Sequence, residues 1–197
     1  NSYLIVEHGG NSSNSVIDYS KTKVVVSGGT FIGMNPENVV FIDQGKGQAF
    51  SKTNVVDDDY CADDLGNGVW GIANAVAKIE GVKGYETLDA AFAAAKPGDK
   101  VVLLENVNAA SAIVMVPAGV IFDLNGCYLT AGNFLSFGDV IDTAEVVGGV
   151  VISNDTTKAF TILQAGNTYL PLYDSANGCY RFFKYSVEQK GSKVVND

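Results

Sequence analysis

Apolar residues fall along this chain in short bursts. From Tyr3 to Phe31 they read "YLIVE", "SVIDYS" and "KVVVSGGTF", separated by Gly, Asn and Ser. Bursts this short and rich in β-branched residues predict brief strands, too closely spaced to leave room for helices. "NPENVVFID" and "GKGQAFSKTNVVDDDYCADDLGNGVWGI" follow as a loop-rich stretch ending in a strand, because Gly, Asp and Asn mark turns.

The pattern switches once. Between Tyr85 and Ala95, Leu88, Ala91, Phe92 and Ala95 recur at helical spacing and give an apolar stripe on one side. Thr87 suits the N-cap, Asp89 places a negative charge beside the exposed amides of the first turn, and Pro97-Gly98 stops the helix. So short a helix is not stable alone and must lie on something.

After it come "KVVLLENV", "AIVMV", "GVIFDLNGCYLTAG", "NFLSFG" and "VIDTAEVVGGVVIS", with no helix between them. Apolar centres repeat from Leu103 to Phe122 to Ile141, from Ile113 to Phe134 and from Leu129 to Val151, steps of 19 to 22 residues. Such a step predicts a parallel β-solenoid whose open end the helix would cover. A rival reading starts from Asn125-Gly126, a strong hairpin signal between two apolar runs that would build an antiparallel sandwich. The same dipeptide also serves coil corners, where a positive φ is needed, and the repeat together with the helix favours the solenoid. In the tail, Tyr169 to Asp174 and Cys179 to Val187 flank the turn "SANG" and predict an antiparallel hairpin dense in aromatic rings, the start of a β-sandwich.

Composition narrows the partners. With 197 residues, 47% of them hydrophobic, the chain can bury a core. Its formal charge of −9 and single arginine, Arg181, argue against nucleic acid and anionic lipid. No apolar run approaches the ~20 residues that span a bilayer, so no membrane insertion is expected in this segment. Starting at Asn1 without methionine, the sequence reads as a piece of a longer protein. Cys61, Cys127 and Cys179 lack metal-ligand spacing and read as packed thiols, with one disulfide plus a spare thiol as the alternative; the single histidine, His8, cannot build a His-based zinc site.

Candidate chemistry is sparse. "DDDYCADD" gathers Asp57, Asp58, Asp59, Asp63 and Asp64, an oxygen-rich stretch of the sort that can hold calcium; without EF-hand spacing it reads better as a solvated loop that guards a strand edge. Asp123, Asp139, Asp142 and Glu145 are the carboxylates a glycosidase would need on one face, and they read better as solvated turn residues. A lyase would need a base beside its carboxylates, and no lysine falls between Ile113 and Val151. No phosphate loop, dinucleotide fingerprint or nucleophile elbow appears. Trp70, Tyr128, Tyr173 and Tyr180 are the rings available to stack on a sugar, or else core and interface residues. The sequons at Asn11 and Asn154 matter only in a glycosylating source.

"YETLDAAFAAAKPGDKVVLLENV" followed by "VPAGVIFDLNGCYLT" resembles the opening of right-handed β-helix modules, related to the pectate-lyase fold, in large surface proteins of gut Firmicutes and in virion proteins of their phages. "KVVVSGGTFIGMNPENVV" resembles the closing coil of a preceding module, and "YLPLYDSANGCYRFFKYSV" the sandwich segment that follows such helices. The expected fold is therefore all-β: residues 1–50 closing a first right-handed parallel β-helix, 51–84 a loop or linker with a strand, 85–156 a capping helix with a short second β-helix, and 157–197 an antiparallel hairpin of a partial β-sandwich. The resemblance implies an extracellular, non-catalytic structural or adhesion module at a bacterial surface or on a virion. Its partner would be a cell-surface glycan or protein, it would need no cofactor unless calcium, and it would trimerise as virion fibres often do. A β-helix polysaccharide lyase or glycoside hydrolase, and a purely structural spacer, are the alternatives.

Overall fold

The computed structural model describes residues 24–43, 48–144, 148–153, 161–162, 169–187 and 194–196. His8, the sequons at Asn11 and Asn154, Glu145 and the bursts before Lys23 lie outside the described residues.

The first part is antiparallel. Strands β1 (Phe31–Ile32), β2 (Val39–Asp43), β3 (Gln48–Thr53), β4 (Tyr60–Gly66) and β5 (Val69–Asn74) form a β2–β3 hairpin and a three-stranded sheet in the order β1-β5-β4. Between β4 and β5 the two-residue turn Asn67-Gly68 has φ of 53° and 75°, the positive values that match a tight hairpin to strand twist. The "DDDYCADD" stretch is thus only partly a loop: Asp63 and Asp64 stand within β4. Glu37, in the short 3-10 turn Pro36–Asn38, accepts from the Ala62 amide at 3.1 Å and pairs with Lys83, tying turn, sheet and the next element together.

The next part holds the core. Strands β6 (Ala77–Ile79) and β7 (Lys83–Tyr85) precede helix α1 (Leu88–Ala94), followed by β8 (Lys100–Leu103), β9 (Val107–Val116), β10 (Ile121–Asp123), β11 (Tyr128–Ser136), β12 (Asp139–Ile141), β13 (Val150–Ser153) and β14 (Thr161–Ile162). Thr87 Oγ1 accepts from the Ala90 amide at 3.1 Å, capping the helix start. Leu88, Ala91 and Phe92 are buried against β6 to β9. At the other end Gly98 takes φ of 95° and the Lys96 amide donates to Asp99, so the chain leaves the helix straight into β8.

Two mixed sheets enclose the core residues. One runs β12-β10-β8-β6-β7 and the other joins β9, β11, β13 and β14 to β15 (Tyr169–Asp174), β16 (Cys179–Val187) and β17 (Val194–Asn196). Their inner side chains, among them Leu103, Phe122, Leu124, Leu129, Phe134 and Val151, are fully buried in one cluster with Leu88 and Phe92 of α1. Phe92 meets the Phe122 ring edge-on with centroids 5.1 Å apart.

This corrects the expected right-handed parallel β-helix. β10 pairs in parallel with β8 and β12, and β11 with β9, β13 and β14, but β6 and β7 pair antiparallel at one edge and β15 to β17 at another. Among the described residues the sheets are mixed and antiparallel, with no closed or solenoid sheet. Among the described residues before β4, β1 pairs antiparallel with β5 and β2 with β3, and Val26 forms an isolated parallel bridge with Val56. The physical reason is register. Repeated coils need successive strands at one step throughout, and here the short loops at Gly81 and at Asn177-Gly178 turn the chain back on itself. The tail hairpin likewise starts no separate sandwich layer, because β16 extends the large sheet through β13. Asn125-Gly126, with φ of 47° and 76°, makes no hairpin either: β10 and β11 belong to different sheets, and the dipeptide turns the chain from one to the other.

Candidate functional site

Asp123 is 1% exposed, so it is not the solvated turn carboxylate its sequence context predicts. Its Oδ1 accepts from the Asn125 amide at 3.0 Å and the Thr143 amide at 3.1 Å, while Oδ2 accepts from Thr143 Oγ1 at 2.6 Å. Asp142 accepts from the amides of Gly126, Ala144 and Gly149. A buried carboxylate needs such donors to offset desolvation. Both acids therefore fasten the loops where the two sheets meet, and Gly149 must be glycine there: a Cβ would come within 2.5 Å of Leu124 Cβ. Asp139 sits on β12 opposite Ile121 and does not share these bonds.

The acidic stretch divides. Carboxylate oxygens of Asp57, Asp58 and Asp59 lie within 4.8 Å of one another. Lys78 Nζ reaches Asp58 at 3.3 Å and Asp59 at 2.6 Å, and Asp58 Oδ2 accepts from the Gly81 amide. Burial works against the Lys78 charge, but hydrogen bonds and attraction from the two aspartates outweigh it and raise the ammonium's pKa. A protein cation thus occupies the position of an ion-pair partner, and Asp63 and Asp64 stand outside the trio.

The four rings are not assembled into one platform. Trp70 lies in the three-stranded sheet between Phe31 and Asp64. In the large sheet, Tyr128, Val150, Arg181 and Leu172 are successive cross-strand partners and share a face. Leu129, Val151, Tyr180 and Tyr173 form the next row and share the opposite one. Only Tyr173 and Tyr180 come together, with centroids 5.1 Å apart and planes tilted by 53°. Tyr180 packs against the core cluster, whereas Tyr173 at the end of the row is 55% exposed. At the adjoining turn Asp174 accepts from Asn177 Nδ2 at 2.7 Å and from Arg181 Nε at 3.2 Å, and these bonds hold its carboxyl below the usual carboxylate range. The turn that carries Tyr173 is thereby fixed. A separate groove of about 260 Å³, with Leu88, Val107 and Val114 beside Glu86, Asp89 and Glu105, runs along the start of α1 and holds none of the expected site residues.

All three cysteines are free thiols, with Cys61 and Cys179 buried and Cys127 half-buried. Burial, and after it the negative charges of Glu86 and Glu37, push the Cys61 thiol from 9.0 up to about 11. A raised native pKa means the unfolded chain releases this proton first, so the stability it contributes is intact below pH 9 and is lost as pH rises toward 11. A series of thermal melts across that alkaline range is expected to show a steeper fall for the native chain than for Cys61→Ala; parallel curves would show that the thiol does not contribute.

No protein family, curated protein or solved structure matches the chain. Among the described residues no helix is long and apolar enough to cross a membrane.

Proposed function

We propose that this chain is a non-catalytic extracellular adhesion module that contacts a cell-surface glycan through Tyr173. The observation that carries the reading is the exposed Tyr173 ring braced at 5.1 Å by Tyr180, on a hairpin pinned by Asp174. A flat ring fixed in place stacks on a pyranose face without first losing rotamer freedom. Asp174, Asn177 and Arg181 bond to one another beside the turn and hold the hairpin that presents the ring. The extracellular setting is taken from the resemblance of the sequence segments to bacterial surface and virion modules, although the β-helix that resemblance implied is not the fold of the described residues. The lyase and hydrolase alternatives draw less support, because the oxygens of Asp123 and Asp142 already accept from backbone amides and from the Thr143 hydroxyl.

A glycan array probed with the native chain and with Tyr173→Ala tests this. Binding that falls about tenfold or more in the variant, at unchanged melting temperature, is the expected result. Equal binding by both chains would remove Tyr173 from the site, and an array without any bound glycan would favour the spacer reading. New reducing ends or unsaturated uronates on incubation with glycans would overturn the proposal in favour of an enzyme.

A further inference from the structure

The dipeptide Asn-Gly occurs three times, at Asn67, Asn125 and Asn177, and the fold treats the three differently. Asn125 donates its side-chain amide to the Leu103 carbonyl at 3.0 Å, and the following amide, Gly126, donates to Asp142 at 2.9 Å. Asn177 donates its side-chain amide to Asp174 at 2.7 Å, and its own backbone N–H is bound to the same residue. Asn67 is exposed at the tip of the β4–β5 hairpin, where its side chain has no such bond and the space around Gly68 is open: a Cβ there would meet nothing within 4 Å.

We propose that Asn67 is a site of spontaneous covalent modification, by deamidation through a succinimide, and that the other two pairs are protected by their hydrogen bonds. The Gly68 nitrogen attacks Asn67 Cγ, the bond from Cγ to the side-chain nitrogen breaks, and ammonia leaves with the proton given up by the backbone. Water then opens the ring at either carbonyl to leave aspartate or isoaspartate; no electrons change hands. Glycine after the asparagine favours the step because no side chain blocks the attacking nitrogen. Hairpin tips are where a backbone rearranges at least cost. At Asn125 and Asn177 the side-chain amide must first break its hydrogen bond, and at Asn125 the attacking amide is engaged as well.

The product alters the molecule locally. Either acid adds a negative charge to a hairpin that already carries Asp63 and Asp64. Isoaspartate also lengthens the main chain within a two-residue turn, loosening the β4–β5 register and the 2.7 Å bond from the Gly33 amide to the Gly68 carbonyl.

The test is peptide mass spectrometry of the intact chain held in mildly alkaline buffer, folded and in urea. In the folded protein Asn67 is expected to convert first, with Asn125 and Asn177 each at least about tenfold slower, the factor that one retained hydrogen bond supplies. In urea the three rates should converge. An Asp174→Ala chain should convert Asn177 about tenfold faster than the native chain does while Asn67 is unchanged; the Asn125 rate in the same digest reports whether the fold has survived. Protection of Asn67 in the folded protein equal to that of Asn125 would overturn the proposal, as would an Asn177 rate unmoved by loss of Asp174.

Discussion

Truncating Phe122 to alanine is expected to cost about 4 kcal/mol, more than any other single change considered for this chain. Phe122 is fully buried on β10, the middle strand of the parallel trio in its sheet, between Val101 and Val140. Its ring meets Phe92 of α1 edge-on at 5.1 Å and lies 6.4 Å from Phe134 of the facing sheet. One side chain thus joins the helix to both sheets. Alanine would leave a cavity that β10, held on both sides, cannot close, and α1 is too short to stay folded without its contact. Urea denaturation gives the cost directly. Phe122→Leu, which keeps most of the volume, should lose clearly less, and equal losses would mean that ring packing is not what holds the helix.

The second large effect is expected at the neighbouring position. Asp123→Ala removes the acceptor of three hydrogen bonds and leaves the Asn125 and Thr143 donors without their partner at the junction of the sheets. Bonds to a charged acceptor contribute more than neutral ones, and three are lost together, so a loss of about 3 kcal/mol is expected from the same denaturation experiment. Asp123→Asn keeps one acceptor oxygen and should recover part of it. A loss well under 1 kcal/mol would place the carboxylate back in solvent, the environment its sequence context predicts.

How much of this was legible depended on whether the signal was local. Helix α1 could be read because Thr87, Asp89, the Leu88–Ala91–Phe92 stripe and Pro97-Gly98 all act within a few residues of one another. The hairpin of Tyr169–Asp174 with Cys179–Val187 was readable for the same reason. Sheet pairing was not. The repeat placed Phe122 between Leu103 and Ile141, whereas its partners are Val101 and Val140; Phe134 pairs with Val114 and not with Ile113. A slip of one residue exchanges the faces of a strand, and runs such as "KVVLL" and "VIFDL" are too uniformly apolar to show which register holds. Leu129 with Val151 did coincide with the observed pair. Strand β4 was hidden because a solvated sheet tolerates aspartate and glycine, whereas β5 was legible as the strand that ends the loop-rich stretch; Asn67-Gly68 between "YCADDLG" and "VWGIAN" carries the hairpin signal that joins them.

The candidate site was legible only as a set of residue types. Four rings could be named, but that Tyr173 and Tyr180 share one face of the sheet while Tyr128 lies on the other follows from pairings between distant strands. Burial of Asp123 was equally out of reach, since Thr143, which satisfies it, is 20 residues away in sequence.

Amide hydrogen exchange at the sheet junction is the most direct measurement. If Asp123 and Asp142 are fasteners and not reactive groups, the amides of Asn125, Gly126, Thr143 and Gly149 that donate to them should exchange nearly as slowly as the core amides of β10 and β12. Exchange at these four positions as fast as at the exposed Asn67-Gly68 turn would show that the loops are open and the carboxylates free, contradicting the account.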